Sequence, residues 1–445
     1  MTIPQSKSPR ILFVALVDNI GLERVVAGLD GQGAVCALMS PPDFYCTQTR
    51  SVTRWFALPR HRGLWLGAIF TRVHLETAVR AFEADLIVPL DDIAAKLLRM
   101  LAGSQVITGR LKTLLKTSFG APEGYAAVCS RAGLMQVATE LDIRQPRTAI
   151  VPDVEAALLA AEDWGYPVVL KAEHTSGGSG VEIVADPEEL RTAFLSLVGR
   201  RSLRNRIRGA VRQSIWNLAG MTRIARMPPV LQAMVPGVPA MRSVSTWQGR
   251  VLDGVSFVAE KIHPEPTGAS TMVRNVDNAE MEEAARLIVA KLGCSGFVSF
   301  DFMVDAEGGA RLIEMNPRPI GTTHLGQLFG HDPCAALVAC LLDDESAHAP
   351  QPRAVAKGTI IALFPKEMER DPSNLERLRA AGVRHDVPLG DPAVVANYLR
   401  RLTKIHPDAA AGMADALASV AARVAAPGVV AAVGLGSAVV TGGFA

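Results

Sequence analysis

Short apolar runs alternate with helix-like stretches over the first 120 residues of the chain. The run ILFVAL is typical of a buried strand, a helix follows near residues 22–29, and AVCALM predicts the next strand. A later run, DLIVPLDD, predicts another buried strand that ends at Asp91 and Asp92 before a further helix. This alternation indicates a parallel, doubly wound sheet of the α/β class.

Polar residues follow the predicted strands of this sheet. Ligands of such sheets bind beyond the carboxyl ends of the strands, where Asp18, Asn19, Asp91 and Asp92 would lie. Each of these residues is equally well explained as a cap of the following helix. Both interpretations stay open on the sequence alone.

A second region begins near residue 121 and contains a candidate phosphate-binding segment. Helices are predicted over 130–142 and 154–164, and strands over 148–151, 167–170 and 181–184. Lys171 ends the middle strand as a fixed cation, and the Gly/Ser-rich loop after it offers backbone N–H groups that can fold over phosphates. The loop is not a Walker A motif, because no GK[ST] follows its glycines. An isolated GGSG is also consistent with a structural turn.

The segment GFVSFDFMVDAEGGARLIEMNPRP predicts a β-hairpin with strands over 297–304 and 310–315. If Val304 pairs with Arg311, Asp301 falls opposite Glu314, and Asn316 projects from the same face as Glu314. Carboxylates this close repel each other unless a cation lies between them. Hard oxygen ligands of this kind favour Mg²⁺, and the alternative is a surface hairpin with solvated acids.

Composition narrows the class of protein. The 445 residues are enough for two or three domains, and a net charge of +2 argues against a protein built mainly to coat nucleic acid. The six cysteines form no CxxC pair, which is the reduced, cytoplasmic pattern rather than a disulfide framework or a zinc site. The first apolar run is interrupted at Asp18, so we interpret it as a strand and not as a signal peptide.

Taken in order along the chain, these pieces resemble the ATP-grasp superfamily over about residues 120–345. The resemblance implies an α+β fold that binds ATP between two subdomains, preceded by a Rossmann-like domain that helps to form the acceptor site. The implied division is a Rossmann-like domain over 1–120 and an ATP-grasp domain over 121–345. Within the latter, a small lid subdomain spans about 150–235 and carries a basic insertion over 198–228. An α/β appendage with an apolar tail occupies 346–445.

The resemblance also assigns the residues that bind ATP and Mg²⁺ (or Mn²⁺). Asp301, Glu314 and Asn316 match the metal ligands, and Arg318 matches an arginine that steadies the transferring phosphate or the acyl phosphate. The remaining matches bind the nucleotide: Arg131 and Lys171 at the phosphates, Thr175, Ser176, Gly177, Gly178 and Ser179 in the mobile loop, and Gln232, Ala233, Met234 and Val235 in the hinge. Many members have lysine at the position of Arg131. Many also read PGxE after the hinge, where this chain has Pro236-Gly237-Val238-Pro239 and so lacks the glutamate. Ribose recognition therefore differs or involves Gln232.

The sequence gives a weaker indication of which residues bind the substrate carboxylate. Lys261, His263 and Arg274 lie on or beside a strand and loop where basic groups could bind a substrate carboxylate, and surface charge is the alternative. For His324 and His331 a helix cap or a loop hydrogen bond is favoured over a catalytic role.

The implied activity is that of an ATP-dependent carboxylate–amine ligase that releases ADP and phosphate. Its partners would be a small-molecule carboxylate and an amine, with no nucleic acid, and a homodimer is common in the family. A carboxyphosphate or carbamoyl-phosphate synthetase and a non-catalytic ATP-binding protein are the alternatives. The sequence names neither the acid nor the nucleophile.

The resemblance assigns no role to two segments of the chain. Residues 200–223 hold seven arginines with apolar residues at helical spacing, which favours an inserted helical flap over contact with an anionic membrane surface or an acidic partner. The last stretch, APGVVAAVGLGSAVVTGGFA, is about long enough to span a bilayer. Its Gly, Ala, Ser and Thr content favours packing or disorder at a chain end instead.

Overall fold

The computed structural model describes most of the chain. The described residues are 8–59, 64–105, 107–173, 180–199, 228–344, 352–373 and 383–409, together with 412, 413, 415 and 417. The glycine-rich loop over 175–179, the basic segment over 200–223 and the apolar tail lie outside them, so the predictions made for these segments are not addressed. In the described part of the chain no helix is both long and apolar enough to cross a bilayer.

A four-stranded parallel sheet with the strand order β3-β2-β1-β4 forms the N-terminal part of the molecule. Its strands are β1 (Arg10–Val14), β2 (Val35–Ser40), β3 (Val52–Ala57) and β4 (Leu86–Pro89). The helices around it are α1 (Glu23–Gly31), α2 (Leu64–Phe82), α3 (Asp92–Gly103) and α4 (Gly109–Phe119). The apolar run of β1 is buried from both sides, with Leu12 in one core cluster and Phe13 in another. The parallel sheet predicted from the apolar runs is therefore confirmed.

Asp91 fixes the point where β4 ends and α3 begins. Its Oδ1 accepts a hydrogen bond from the backbone N–H of Ala94 at 2.8 Å, and its Oδ2 accepts one from Leu16 at 2.6 Å. An N-cap of this kind is worth about 1 kcal/mol. The capping interpretation is therefore the one that the structure shows for Asp91, and the second bond ties the end of β1 to the same carboxylate.

Two helices lead out of the parallel sheet, α5 (Tyr125–Val128) and α6 (Arg131–Glu140). They follow Gly120, which ends α4 at a positive φ of 82°. A Cβ atom at Gly120 would lie 1.8 Å from the carbonyl oxygen of Gly293, so no larger residue fits there. This close approach anchors the connection against the C-terminal part of the molecule.

A small antiparallel sheet with the order β5-β8-β6-β7 follows. Its elements are β5 (Thr148–Ile150), α7 (Val154–Trp164), β6 (Val168–Lys171), β7 (Val181–Val184), α8 (Pro187–Gly199) and β8 (Val230–Ala233). Val168 and Leu170 point into the core beneath α7 and α8. Because side chains alternate along a strand, Lys171 projects from the other face of this sheet.

The remaining strands form a seven-stranded sheet with the order β13-β12-β9-β10-β11-β14-β15. Its strands are β9 (Val238–Trp247), β10 (Arg250–His263), β11 (Ala269–Val276), β12 (Gly296–Val304), β13 (Ala310–Asn316), β14 (Ile360–Ala362) and β15 (Val383–His385). The helices are α9 (Ala279–Leu292), α10 (Pro333–Leu341), α11 (Lys366–Arg370) and α12 (Pro392–Ile405). β14 pairs with β11, so the predicted appendage begins by extending this sheet.

The predicted hairpin is present as β12 and β13, with one difference in register. Asp301 does lie opposite Glu314, as expected. The turn end, however, pairs Val304 with Ala310 and not with Arg311. A bulge at Ile313, between the Asp301–Glu314 and Phe302–Leu312 pairs, takes up the extra residue. The assumption of a regular ladder was therefore wrong, although the cross-strand pairing of the two carboxylates is correct.

Candidate active site

An open cleft of about 430 Å³ lies where the parallel sheet, the small sheet and the hairpin meet. Asp92 and Lys96 of α3 line one side, and the start of α6 lines another. Glu173, just beyond β6, and the end of β13 complete the wall. Residues far apart in sequence thus converge on one space.

The two carboxylates of the hairpin differ in their electrostatic surroundings. Burial, together with the neighbouring Glu314, raises the pKa of Asp301 to about 7. Burial also disfavours the charged form of Glu314, but Arg131 and Lys171 outweigh it and lower the pKa of this carboxyl. Asn316 donates a hydrogen bond from Nδ2 to Oδ2 of Asp301 at 2.9 Å. Arg318 lowers the pKa of Asp301 only in part, so the hairpin holds one carboxylate that cations compensate and one that they compensate incompletely.

Arg131 is the partner that stabilises Glu314. Its Nε and Nη2 atoms lie 3.0 and 2.9 Å from Oε2 of Glu314, and its Nη1 donates to the carbonyl oxygen of Ala172 at 2.6 Å. Arg131 is the first residue of α6, whose N-cap is Ser130. The helix start thus aims a cation across the cleft at the hairpin.

Glu173 is a cleft residue that the sequence analysis missed. Its Oε2 accepts a hydrogen bond from the backbone N–H of Arg131 at 3.2 Å, and its Oε1 accepts one from Ala132 at 3.0 Å. The carboxylate therefore sits on the first N–H groups of α6, where the helix dipole favours negative charge. The only sequence signal was its spacing from Lys171, which places both residues on one face if the strand geometry continues.

Lys171 lies at the end of β6 with only 7% of its surface exposed. Burial lowers the pKa of its ammonium group to about 8, while Glu314 acts in the opposite direction. Arg131 lowers this pKa further and Asp301 raises it. Lys171, Arg131, Asp301 and Glu314 therefore influence one another electrostatically.

Arg318 is joined to Asp92 by a bidentate ion pair. Its Nε and Nη2 donate to the two carboxylate oxygens of Asp92, both at 2.8 Å. Burial opposes the charge on Arg318, but Asp92 more than offsets this and raises the pKa of the guanidinium group. Ser299 donates from Oγ to the carbonyl oxygen of Arg318 at 3.0 Å. Arg318 is thereby fixed to the first turn of α3.

The predicted hinge runs along β8 and just beyond it. The Gln232 side chain is buried and donates to Oγ1 of Thr148 at 3.2 Å. The Ala233 N–H donates to the carbonyl oxygen of Arg147 at 2.9 Å, and that of Met234 to Pro167 at 3.4 Å. The Gln232 amide is thus turned into the small sheet, and Val235 is the first hinge residue past these bonds.

Lys261 and Arg274 are not brought to the cleft. Arg274 donates from Nε to Oε1 of Glu260 at 2.5 Å. Arg274 pairs with Val258, Val258 pairs with Ala240, and Ala240 pairs with Phe302, so these residues share one face of the sheet. Asp301 precedes Phe302 along β12, and its side chain therefore points to the opposite face. Lys261 is exposed on β10, opposite Met272 and next to a bulge. The structure therefore groups neither residue with Asp301 and Glu314 of the β12–β13 hairpin.

The two histidines after the hairpin make local polar contacts. His331 Nδ1 lies 3.1 Å from Oδ1 of Asp253, and this hydrogen bond raises the pKa of the histidine. His324 is buried with Nε2 3.4 Å from Oδ2 of Asp386, and burial lowers its pKa. Within the described residues no group of three or more His, Cys, Asp or Glu side chains is arranged to hold a metal. A metal at the hairpin would accordingly need the amide oxygen of Asn316 as well.

Comparison with known proteins relates part of the chain to the carbamoyl-phosphate synthase large chain. Residues 131–202 match the family model of the carbamoyl-phosphate synthase L chain, ATP binding domain. The carbamoyl phosphate synthase large chain of Thermus thermophilus is 26% identical over 230 residues, which cover 47% of this chain and 19% of that protein. The chain thus matches about a fifth of the length of this relative.

Solved structures show the same relationship at the level of the fold. The biotin carboxylase domain of Hydrogenobacter thermophilus 2-oxoglutarate carboxylase, in complex with MgADP, ADP and bicarbonate, aligns with a TM-score of 0.56 at 15% identity. That alignment covers 78% of this chain and 73% of the other. The L-amino acid ligase of Bacillus licheniformis aligns with a TM-score of 0.51 at 16% identity, covering 78% of each chain. The expected resemblance to the ATP-grasp superfamily is confirmed.

Proposed function

We propose that this ATP-grasp protein is an ATP-dependent ligase that phosphorylates a substrate carboxylate and transfers the acyl group to an amine or another nucleophile. The observation that carries the proposal is the convergence of Asp301 and Glu314 with three cations, Arg131, Lys171 and Arg318. Phosphoryl transfer needs this combination, because the protein must hold metal ions and neutralise charge that spreads over the moving phosphate.

The donor set of the hairpin fits Mg²⁺ or Mn²⁺. Asp301 and Glu314 are cross-strand neighbours, and all the available ligand atoms are hard oxygens if Asn316 presents Oδ1. The raised pKa of Asp301 is what two crowded carboxylates produce when a single arginine pairs with only one of them. When bound, the metal neutralises phosphate charge and polarises the transferring group. Asn316 would turn its amide away from the present bond to Asp301.

The position of the small sheet supports a nucleotide between Lys171 and the hinge. Lys171 pairs with Val230, whereas Val168, at the other end of β6, pairs with Ala233. These positions are three residues apart, so the phosphate-binding end and the hinge are separated by roughly 10 Å. This spacing suits an adenine ring at 233–235 with phosphates at Lys171 and Arg131. No acid follows Gly237, so ribose recognition differs from that of many family members.

The reaction would proceed in two displacements. An oxygen of the substrate carboxylate attacks the γ-phosphorus, the bond to the β-phosphate oxygen breaks, and ADP leaves. An amine then attacks the acyl carbon, phosphate leaves, and the amine loses a proton. Arg318, held in place by Asp92, would stabilise the transferring group in both steps. No protein nucleophile is required, in accord with the cations and acids that line the cleft.

The residues around the cleft support different roles for the predicted domains. The N-terminal body over 1–120 would act as the Rossmann-like domain that forms one wall of the acceptor site, since Asp92 and Lys96 already line the cleft. Residues 121–345 would hold the nucleotide and metal. Arg274, in its ion pair with Glu260, would have no direct part in the chemistry. The expected partners are a small carboxylate and an amine.

Bicarbonate is the second candidate for the carboxylate that is activated. The match of residues 131–202 to the ATP-binding domain of carbamoyl-phosphate synthase motivates it. The chemistry at the γ-phosphate would be the same, with carboxyphosphate as the activated species. A purely nucleotide-binding role is disfavoured, because a sensor has no need of converging metal ligands and a fixed Arg318.

The test is ADP and phosphate release from ATP and Mg²⁺ in the presence of pooled amino acids, other small carboxylates and bicarbonate. Release that requires an acid, and that is lost in Glu314→Gln, is the expected result. Glu283→Gln is the matched control, because Glu283 is an exposed residue on α9 that pairs with Arg286. Release with bicarbonate alone would select the second candidate. ATP binding without release under any of these conditions would contradict both.

A further inference from the structure

Lys366 approaches the loop that follows the hairpin from the predicted C-terminal appendage. A Cβ atom built on Gly321 would lie 3.9 Å from Nζ of Lys366 and 3.8 Å from the carbonyl oxygen of Ile20. Gly321 belongs to the loop after Arg318, and Ile20 belongs to the loop after β1. The ammonium group therefore lies where the loop after Arg318 approaches the loop after β1.

The backbone just before Lys366 is held by a buried network. Arg24 of α1 donates from Nη2 to the carbonyl oxygen of Phe364 at 2.6 Å and from Nη1 to Oδ2 of Asp386 at 3.0 Å. Asp386 in turn accepts a hydrogen bond from the N–H of Phe364 at 2.5 Å. Both backbone groups of Phe364 are thus fixed by two other parts of the chain, so Lys366 has a defined position and is not a loose surface lysine.

The ammonium group of Lys366 has no direct partner among the described side chains. None of them forms a hydrogen bond or an ion pair with Nζ. Burial lowers the pKa of this group, Asp386 and Glu369 oppose the shift, and Arg24 and Arg318 add to it. Asp386 is already engaged by Arg24 and Phe364. A partly buried cation without a direct partner, under the influence of two arginines, is best stabilised by a bound anion.

We propose that Lys366 binds the carboxylate that is to be phosphorylated, beside Arg318, and so brings the C-terminal appendage into the substrate site. This inference rests on the proposed ligase function. Arg131 and Lys171 lie at the β12–β13 hairpin, whereas Lys366 lies beside Gly321, three residues beyond Arg318. Of these three cations only Arg318 acts on the pKa of Lys366. An anion between Lys366 and Arg318 is therefore the acceptor acid and not the nucleotide phosphates. Carboxylates form strong, charge-assisted hydrogen bonds with such a pair.

The first test needs no knowledge of the natural acid, because it uses malonate as the carboxylate probe. The wild-type protein is labelled with an amine-reactive reagent in malonate or in chloride at matched ionic strength, and peptide mass spectrometry follows each lysine. Lys291 is the internal reference, since it is half-exposed and pairs with Glu140 on the protein surface. We expect malonate to slow the labelling of Lys366 severalfold relative to Lys291. Equal rates in malonate and chloride would overturn the inference.

The second test separates this inference from the proposed function. With the acid that stimulates ADP release, Lys366→Met is expected to raise the KM for that acid by about tenfold to a hundredfold. The KM for ATP should stay within about twofold of the wild-type value, because only the acceptor loses a contact. Lys366→Arg should recover part of the loss, and Lys291→Met should cause none. An unchanged KM for the acid in a folded Lys366→Met would overturn the role of Lys366 alone, whereas a wild-type protein that does not bind ATP would overturn the proposed function.

Discussion

Asp92 and Arg318 form a bidentate ion pair that joins the first turn of α3 to the segment just after the β12–β13 hairpin, with both bonds at 2.8 Å. The pair crosses from the parallel sheet to the seven-stranded sheet and borders the cleft. It explains how Arg318 keeps one orientation, because the planar guanidinium group matches a carboxylate at both nitrogens. Asp92 is therefore a positioning residue for Arg318.

Replacing Asp92 with Asn should reduce turnover more than it reduces nucleotide binding. Arg318 keeps its charge but loses its orientation, so we expect kcat to fall by about tenfold to a hundredfold. The KM for ATP should change by less than about threefold, because Arg131 and Lys171 still hold the phosphates. Steady-state ADP release checks both constants. The control is Asp277→Asn, which breaks a surface pair with Lys357, and an equal effect of the two variants would refute the positioning role.

Magnesium should stabilise the wild-type protein through Asp301 and Glu314. A ligand that binds only the folded state adds about 2.7 kcal/mol to the free energy of unfolding at a hundred times its dissociation constant. Denaturant titrations with and without MgCl₂ should show this gain for the wild type and for Glu283→Gln. In Glu314→Gln the gain should be lost. A gain of the same size in that variant would place the metal elsewhere.

Glu173 should matter for nucleotide binding as well as for helix stability. Glu173→Ala removes an acceptor for the first N–H groups of α6, which should cost about 1 kcal/mol of unfolding free energy. Asp153→Ala is a matched cap deletion, because Asp153 accepts from Ala156 at the start of α7. We expect both variants to lose similar stability but only Glu173→Ala to change the ATP dissociation constant, as Glu173 lies against Arg131. Identical nucleotide affinity in the two variants would show that Glu173 acts only as a cap of α6.

Acid should destabilise the fold through the buried His385. Burial lowers its pKa to about 4 in the folded protein, whereas the unfolded chain takes up the proton near pH ~6.5. The unfolded state therefore binds more protons between these values. The contribution is fully present above pH ~6.5 and is lost as the pH falls toward ~4, with a limit of about 3 kcal/mol.

Denaturant unfolding at several pH values tests this expectation. His385→Leu should flatten the decline on the acid side. His331 provides a control of opposite sign, because its bond to Asp253 raises its pKa and stabilises the fold more at low pH. A wild-type stability that does not fall below pH ~6.5 would contradict the buried, neutral His385.

Much of the fold could be read from local pattern, because the relevant signals span only a few residues. The apolar run of β1, the cap at Asp91 and the alternation in β12 are properties of short segments. The opposition of Asp301 and Glu314 followed from hairpin geometry. The bulge at Ile313 did not, since it depends on how the strand packs and not on the residues of the turn.

The parts of the site that sequence reasoning missed depend on contacts over long distances along the chain. Glu173 reaches the start of α6, and Asp92 meets Arg318, only after three sheets have assembled. Arg274 shows the converse case. Its type and neighbourhood fitted a substrate-binding arginine, but its face of the sheet is decided by pairing across β10, β9 and β12. No local pattern contains that information.

The most direct test of carboxylate activation follows the oxygen atoms of the acid. A pool of small carboxylates, including amino acids and bicarbonate, is labelled with heavy oxygen in the carboxyl group and incubated with the protein, ATP and Mg²⁺. If an acyl phosphate forms and is then displaced, the released phosphate carries one labelled oxygen from the acid. Formation of ADP with unlabelled phosphate, or ATP binding without any ADP in the complete pool, would contradict the account.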